Sequence, residues 1–263
     1  MKNTVLLAML LVLSQLSFSQ NSSGRNSNSS LTAGTIPKNK KAKPVIIPTI
    51  VSANVEFPSI FKDHIEESNA YVEKFSKNRR DYLIRMHNRG KKIFPKVSAI
   101  FDKYDLPQEL NVLIALESAF NPNARSSAGA FGYWQFMDDV AKEYGLSIIS
   151  KSKTSGKLTA KSTRSKKKDD RSNFQKSTRA AARYLLDRKH NLGSDWLLVV
   201  ASYNWGIGNV TKAIRKTGMP DASFWDIKKF LPAETRAYVM NFIAMNVVYN
   251  NYDNFLNNNL QFE

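Results

Sequence analysis

The feature that most limits how this chain can fold is a short apolar run that ends in an acid. Val112 to Leu116 are consecutive apolar residues, and Glu117 follows them directly. Asn121-Pro122 comes soon after, and a proline disfavours helical geometry at the residue before it. A helix ending here would place three apolar residues on the face of Glu117, namely Leu110, Leu113 and Ile114. The pattern therefore predicts a buried helix whose last turn carries a carboxyl group.

A carboxyl group on an apolar face can be accommodated in two ways. Burial makes the ionised form costly and raises the pKa, which keeps the acid protonated near neutral pH and ready to donate a proton. Alternatively, an Arg or Lys neutralises the carboxylate, and the acid then has only a structural role. Taken alone, the residues around Glu117 favour the structural interpretation. The motifs that follow it in the chain favour the catalytic one.

The first residues have the pattern of an export signal. An apolar stretch from Val5 to Leu13 follows Lys2, and Ser17-Phe18-Ser19 supplies small residues for cleavage before Gln20. This stretch is much shorter than the roughly 20 residues that a membrane-spanning helix needs. We therefore expect a signal peptide at 1–19 and an exported protein that resides in the periplasm or cell envelope or is secreted. No later stretch reaches transmembrane length.

The sequence contains no cysteine. This excludes disulfides, thiolate metal sites, a catalytic cysteine and a lipid-anchor cysteine. The three histidines, His64, His87 and His190, are far apart and show no ligand spacing. We expect neither a metal ion nor another cofactor.

Composition divides the remainder of the chain into a tether, a domain and a tail. Residues 20–54 are rich in Asn and Ser, with lysines between prolines, which is typical of a disordered segment. Residues 55–250 suit a single domain, and 251–263 form a C-terminal tail. A Lys-rich insertion, 151–171, interrupts the domain, and we assign it no regular structure.

The formal net charge of +17 is concentrated in the tether and the insertion. Within 151–171, nine Lys or Arg stand against Asp169 and Asp170, a net charge of +7. Segments of this kind bind polyanions loosely by charge alone. The sequence shows no recognised nucleic-acid module, so we expect no nucleic-acid partner. We expect electrostatic contact with anionic surfaces of the cell envelope instead.

Helical periodicity dominates the domain, and strand signals are almost absent, so the fold class is mainly α. The predicted helices are 68–89, 92–104, one from Pro107 to Glu117, 137–144, one capped by Ser177 or Thr178, one begun by Ser194-Asp195, and a long one opened by Pro232.

Four short segments stand out in order along the chain. They are Glu117-Ser118, the loop from Ser126 to Gln135, Ala201-Ser202-Tyr203-Asn204-Trp205-Gly206, and Leu231-Pro232-Ala233-Glu234-Thr235-Arg236. Their order and spacing resemble the lytic murein transglycosylases of the soluble-transglycosylase type, and most closely the membrane-bound lytic transglycosylase D group. The resemblance covers residues 55–250 and implies a goose-lysozyme-like helical fold. The Lys-rich insertion is longer and more basic than this family pattern implies.

The resemblance also implies a role for each motif. Glu117 would be the catalytic acid of the family's Glu-Ser motif, and Tyr203 would form a hydrogen bond near it. The residues that would line the substrate site are Ser118, Ser126, Gln135, Tyr203, Asn204 and Glu234. Purely structural roles remain open for several of them. Tyr203 could be a core aromatic residue, and Gln135 could fix the loop backbone. Glu234 could be present because the helix dipole favours an acid in the first turn.

The implied substrate is a peptidoglycan glycan strand, bound by a monomeric enzyme. Most glycosidases need two carboxyl groups, whereas a lytic transglycosylase can use one group twice. The expected reaction cleaves the β-1,4 bond between N-acetylmuramic acid and N-acetylglucosamine without water and leaves a 1,6-anhydro ring. Two alternatives stay open: a hydrolase of the goose-lysozyme type, and a peptidoglycan-binding protein without activity.

Overall fold

The computed structural model describes residues 53–149 and 168–262, and the regular structure of this part is helical apart from two isolated β-bridges. The prediction of a mainly helical fold is confirmed. The signal peptide at 1–19, nearly all of the tether and residues 151–167 of the insertion lie outside the described residues. None of the described helices is both long and apolar enough to cross a membrane.

The described α-helices vary widely in length. They are α1 (Ile65–Asn78), α2 (Arg80–Gly90), α3 (Phe94–Phe101), α4 (Leu113–Ser118), α5 (Asp138–Glu143), α6 (Phe174–Leu192), α7 (Trp196–Trp205), α8 (Ile207–Thr217), α9 (Phe224–Ile227), α10 (Ala233–Asn250) and α11 (Tyr252–Leu256). Short 3-10 segments accompany them at Ser59–His64, Asp102–Tyr104, Gln108–Val112, Asp170–Ser172 and Lys228–Phe230.

Helices α7 and α10 form the centre of the domain. Both have buried residues around most of their circumference, as expected of helices enclosed by others. α7 packs against α6, α8 and α10, while α10 also packs against α1 and α4. Because α10 contacts both α4 and α7, it joins the helix that carries Glu117 to the helix that carries Tyr203.

Two predicted helix starts are found where the sequence placed them. The Asp195 carboxylate accepts hydrogen bonds from the backbone N–H groups of Leu197 and Leu198, and so caps α7. Pro232 is the N-cap of α10. The start of α6 was predicted wrongly, because Asn173 caps it and Ser177 and Thr178 are buried within it.

The N-terminal helices differ from the prediction in their breaks. The predicted helix 68–89 is divided at Arg79, and Gly90 is the last residue of α2. A side chain at Gly90 would overlap the ring of Phe94, so this glycine permits close packing and does not break the helix. The segment after Pro107 begins as a 3-10 helix and becomes α-helical only at Leu113.

The segment predicted as a C-terminal tail packs against the domain. Phe255 in α11 is buried, and the guanidinium of Arg80 donates hydrogen bonds to the carbonyl oxygens of Phe255 and Leu256 at 2.7 and 2.8 Å. Further along, Asn54 and Gln261 exchange hydrogen bonds through backbone and side-chain groups. Residues 251–262 thus belong to the same compact unit as the helices before them.

Candidate active site

Glu117 lies in the last turn of α4 and is half-buried. Leu110, Leu113 and Ile114 are fully buried, as predicted for the face that Glu117 shares with them. The helix ends in two residues with left-handed backbone, Ala119 at φ 49° and Phe120 at φ 66°. This conformation is unfavourable for residues other than glycine and often accompanies functional sites. The chain therefore turns away from the helix before it reaches Pro122, which was expected to end it.

The Glu117 carboxyl group is paired with a tyrosine and not with a cation. The hydroxyl of Tyr238 donates a hydrogen bond to Oε1 of Glu117 at 2.5 Å. Among the described residues, no Arg, Lys or His forms an ion pair with Glu117. Burial raises the pKa of Glu117 from 4.5 to about 8, and the hydrogen bond from Tyr238 opposes part of that rise because it stabilises the ionised form. Of the two sequence-based interpretations, the structure supports the protonated acid.

Tyr238 is the residue of the candidate site that sequence reasoning missed. It lies on α10, at helical spacing from Phe242 and Met245, and this spacing alone indicates only burial. The residue is indeed buried, and burial together with the charge of Glu117 raises its pKa well above the usual value for a tyrosine. Tyr238 therefore keeps its proton and remains a hydrogen-bond donor. A tyrosine hydroxyl in an otherwise apolar stripe was the one sequence signal that could have indicated this role.

Tyr203 lies near Glu117, but its hydrogen bond is not to the Glu117 carboxyl group. Its hydroxyl donates to the backbone carbonyl of Trp134 at 2.8 Å. Burial raises the pKa of Tyr203, and the charge of Glu117 adds to that rise, which reflects their proximity. The Tyr203 ring contacts the ring of Tyr184 edge to face at 5.2 Å between centroids. Tyr203 thus holds the loop at Trp134 next to the acid.

The loop of Ser126 and Gln135 is fixed largely by its own backbone and side chains. Ser126 Oγ accepts a hydrogen bond from the N–H of Ala130 at 2.9 Å, and the two residues are also joined through their backbones. The side-chain amide of Gln135 donates to the carbonyl oxygens of Ala124 and Gly132 at 3.1 and 2.8 Å. Gln135 therefore has the structural role considered above, because its side chain fixes the backbone of the loop.

Arg171 anchors this loop from the far end of the insertion. The sequence assigned Arg171 to the basic insertion, yet its side chain is buried and pairs with Asp169 at 2.7 Å and Asp138 at 2.6 Å. It also donates to the carbonyl oxygen of Phe136 at 3.0 Å. Gly132 has φ 85°, and a Cβ there would overlap the carbonyl oxygen of Arg171. Residues 169–171 therefore belong to the support of the site and not to a separate basic segment.

The Tyr203-Asn204 motif on α7 forms a hydrogen bond with the Glu234-Thr235 motif on α10. Asn204 Oδ1 accepts a hydrogen bond from the hydroxyl of Thr235 at 2.8 Å. Glu234 is half-buried, and burial raises the pKa of its carboxyl group. Its Oε1 atom is buried and has no hydrogen-bond partner in the described part of the chain. An unpaired carboxyl oxygen is costly to bury, so Glu234 has unused capacity to bind a hydrogen-bond donor.

Ser118 and the two tryptophans of the motifs have more local roles. The Ser118 hydroxyl donates to the carbonyl oxygen of Ile114 at 3.2 Å, one turn back on the same helix. Trp134 is fully buried, and its indole N–H donates to Thr178 Oγ1 at 3.1 Å. Trp205 is only partly buried at the end of α7. In the described ranges, no group of three or more His, Asp or Glu side chains is placed to hold a metal ion.

Comparisons with known proteins match most of this site, though not its residues on α10, to a known domain family. Residues 99–225 match the family model "Transglycosylase SLT domain". The chain is 32% identical over 191 residues to membrane-bound lytic murein transglycosylase D of Escherichia coli, a match that covers 72% of this chain and 37% of that protein. It is also 31% identical over 113 residues to a putative tributyltin chloride resistance protein of an Alteromonas species, covering 43% of this chain and 47% of that protein.

Among solved structures, an inactive mutant of the lytic transglycosylase Slt from Pseudomonas aeruginosa matches 60% of this chain and 24% of that one, at 21% identity and a TM-score of 0.44. The chain spans little more than a third of the length of the first of these curated relatives. The family model covers Glu117, the loop to Gln135 and the Tyr203-Asn204 motif. The chain therefore contains a transglycosylase SLT domain homologous to that of membrane-bound lytic murein transglycosylase D.

Proposed function

We propose that this protein cleaves the β-1,4 bond between N-acetylmuramic acid and N-acetylglucosamine in peptidoglycan without water and forms 1,6-anhydro-muramyl ends. The observation that carries the proposal is the state of Glu117. It is a half-buried acid with a pKa of about 8 whose described partner is a tyrosine hydroxyl, and it lies inside the matched domain. Such a group is protonated at neutral pH and can act first as an acid and then as a base.

The first step is proton transfer from Glu117 to the glycosidic oxygen. The bond between that oxygen and C1 of the muramyl residue breaks, and the N-acetylglucosamine unit leaves with the proton. C1 is left with cationic character. The carboxylate that remains on Glu117 is stabilised by the hydrogen bond from Tyr238 to Oε1.

The second step returns the proton to Glu117. The carboxylate takes the proton of the 6-hydroxyl of the same muramyl residue, and that oxygen attacks C1. The ring closes, Glu117 is protonated again, and no water is consumed. One carboxyl group thus performs both proton transfers, in contrast to the two carboxyl groups of most glycosidases.

The remaining site residues are proposed to position the glycan. Glu234 offers its unpartnered carboxyl oxygen to an N–H or O–H group of the sugar. Asn204, Gln135, Ser126 and Ser118 already have protein partners, so contact with a sugar would use their remaining donors and acceptors. Tyr203 would contribute through the loop that it holds at Trp134.

We also propose that the enzyme acts as an exported monomer in the periplasm or cell envelope. The apolar stretch at 5–13 and the small residues after it support export, and the homology to an envelope protein agrees with it. The basic residues of the tether and of 151–167 would add electrostatic contact with anionic envelope surfaces.

Product mass tests the proposal directly. Purified peptidoglycan is digested with the wild-type protein, and the soluble fragments are analysed by mass spectrometry. Anhydro ends are lighter by one water than the reducing ends that a hydrolase of the goose-lysozyme type would leave. Reducing ends would replace the proposal with the hydrolase.

Glu117→Gln tests whether the protein is an enzyme at all. Glutamine keeps the size of the side chain and cannot donate the proton. The variant should bind peptidoglycan and release no fragments. Equal release by the variant and the wild-type protein would show that Glu117 is not the catalytic acid, and no release by either would favour the binding protein.

A further inference from the structure

The exposed side of α8 and the segment Lys228–Phe230 form a basic surface patch that also contains apolar side chains. α8 is amphipathic, because Val210 and Ala213 are buried and its charged residues are all exposed. We define the α8 patch by four exposed cations and two apolar residues, namely Lys212, Arg215, Lys216, Lys229, Met219 and Phe230. None of these residues takes part in the proposed reaction.

Contacts around Phe230 bring the two segments of the patch together. The ammonium group of Lys216 lies 5.9 Å from the centre of the Phe230 ring, and that of Lys229 lies 5.1 Å from it. Two lysines that are distant in the chain thus approach the same aromatic ring. The end of α8 and the segment before α10 therefore present one continuous surface.

The cations of the α8 patch form no ion pair with any acid in the described ranges. Two acids lie in the same stretch of chain. The Asp226 carboxylate is occupied at the start of α9, where it accepts hydrogen bonds from the N–H and the hydroxyl of Ser223 at 2.8 and 2.7 Å. Asp221 is exposed and likewise forms none of these ion pairs. Four cations against these two acids leave the patch with an excess of positive charge, which attracts anionic surfaces.

Apolar side chains reach the solvent among these charges. Met219 is 49% exposed, and its N–H donates a hydrogen bond to the hydroxyl oxygen of Thr217 at 3.0 Å, which fixes the turn after α8. Phe230 is half-buried. Lysine side chains are long enough to keep their ammonium groups in a polar layer while neighbouring apolar groups enter a less polar one. This combination of basic and apolar groups is typical of a protein surface that lies on a lipid bilayer.

The C-terminal end of α8, where Lys216 contacts Phe230, is the end farther from the Tyr203-Asn204 motif. α8 begins at Ile207, shortly after Asn204, and a helix of its 11 residues is about 16 Å long. Lys216 lies in the last turn of this helix. Binding at the patch and binding in the candidate active site therefore use separate residues.

We propose that the α8 patch binds the surface of a membrane that contains anionic phospholipids. The cations contact the lipid phosphate groups, and Met219 enters the boundary between the headgroups and the acyl chains. This contact belongs to the folded domain and is distinct from the electrostatic role proposed for the tether and 151–167. A soluble anionic polymer fits less well, because it offers charges to the lysines but no apolar layer to Met219.

A dye attached at Met219 tests whether the patch enters the membrane. The chain has no cysteine, so one introduced cysteine can be labelled at a single place. The full chain carrying Met219→Cys is coupled to a dye whose emission shifts to shorter wavelength in apolar surroundings. The shift should appear with phosphatidylglycerol vesicles and not with phosphatidylcholine vesicles. The same dye on Asn88→Cys, an exposed position of α2, is the control and should show no shift.

Removal of charge tests the lysines in a sedimentation assay with phosphatidylglycerol vesicles. Replacing both Lys216 and Lys229 by glutamine should weaken binding of the full chain about 25-fold, roughly fivefold for each lysine near the surface. Lys91→Gln together with Lys92→Gln removes the same charge from exposed positions outside the patch, and it should weaken binding less than about twofold. Thermal unfolding of each variant checks that the fold is intact.

Three results would overturn the inference. If the protein sediments with the vesicles but the dye at position 219 shows no shift, the tether or the insertion makes the contact and the patch does not. Equal losses in the two double variants would show that only the total charge matters. If the Lys216 and Lys229 replacements weaken binding to purified cell walls but not to vesicles, the patch is a contact for wall polymers. None of these measurements depends on the reaction products, so the inference fails or holds independently of the proposed function.

Discussion

The Tyr238 hydroxyl donates a 2.5 Å hydrogen bond to the Glu117 carboxyl group across a separation of 121 residues. This contact joins α10 to α4 at the candidate catalytic acid. It opposes the rise in the Glu117 pKa that burial causes, and it supports the carboxylate that forms after proton transfer. Tyr238 therefore affects two properties of Glu117, its pKa and the rate at which it transfers its proton to the substrate.

Replacing Tyr238 by phenylalanine should raise the pKa of Glu117 and slow the reaction. Without the donor, the ionised carboxyl group loses about 1–2 kcal/mol of stabilisation. Activity that needs protonated Glu117 falls as the pH rises through its pKa of about 8. In the Tyr238→Phe variant this fall should move to higher pH, while the rate at lower pH drops roughly tenfold. A pH–rate profile of both proteins checks this, and a shift to lower pH would contradict it.

Glu117→Gln should make the protein more stable at high pH. Unfolding returns Glu117 to its usual pKa of 4.5, whereas the folded state holds its proton up to about pH 8. Below pH 4.5 both states are protonated, and between these values unfolding releases a proton, so the wild-type protein loses stability as the pH rises. The variant cannot ionise, and its advantage should grow to a few kcal/mol, reduced by the partial exposure of Glu117.

Thermal unfolding at pH 5 and pH 9 measures this advantage. Glu66→Gln, on the exposed face of α1, is the matched control and should show no such pH dependence. If the difference in unfolding temperature between Glu117→Gln and the wild-type protein is the same at both pH values, Glu117 does not have the raised pKa described above.

Two glycines in the same loop should respond differently to alanine. Both have positive φ, 97° at Gly129 and 85° at Gly132, so each alanine is strained by about 1–2 kcal/mol. At Gly129 the new methyl group meets no atom within 4 Å, whereas at Gly132 it overlaps the Arg171 carbonyl. Gly132→Ala should therefore cost more than about 3 kcal/mol in urea unfolding. Equal costs would show that the loop can move away from Arg171.

Removing residues 151–167 should weaken retention on the envelope and leave the fold intact. The deletion ends before Asp169 and Arg171, which are needed for the site. Binding to isolated cell walls should fall at low salt and converge with the wild-type value at about 1 M salt, where charges are screened within roughly 3 Å. A same-length segment with its lysines replaced by glutamine is the control. Unchanged binding at low salt would contradict the electrostatic role.

Sequence reasoning was most successful where a local signal is sufficient. Asp195 and Pro232 start helices because capping depends on residues within one turn. The burial of the helix face around Glu117 followed from its spacing. α8 was missed even though Val210, Ala213 and Ile214 recur at helical spacing, because the glycines at 206 and 208 were taken only as the end of the preceding motif.

Contacts between distant parts of the chain could not be predicted in the same way. The family resemblance implied that Tyr203 lies close to Glu117, but it did not indicate Tyr238, which the contacts of α10 with α4 and α7 bring to the Glu117 carboxyl group. Arg171 follows a run of lysines and looked like part of it. Its burial depends on Asp138, which precedes it by 33 residues. Such pairings follow from the tertiary fold and leave no periodic pattern in the sequence.

The two ends of the inserted stretch are held side by side. The N–H of Asp170 donates to the carbonyl oxygen of Ser147 at 2.8 Å, and the N–H of Ser147 donates to the Asp170 carboxylate at 3.0 Å. Because the closure of this loop is already fixed at its base, each doubling of its length costs only about 0.6 kcal/mol. The position should therefore accept a reporter domain or an affinity tag in place of the native residues without disturbing the chemistry nearby.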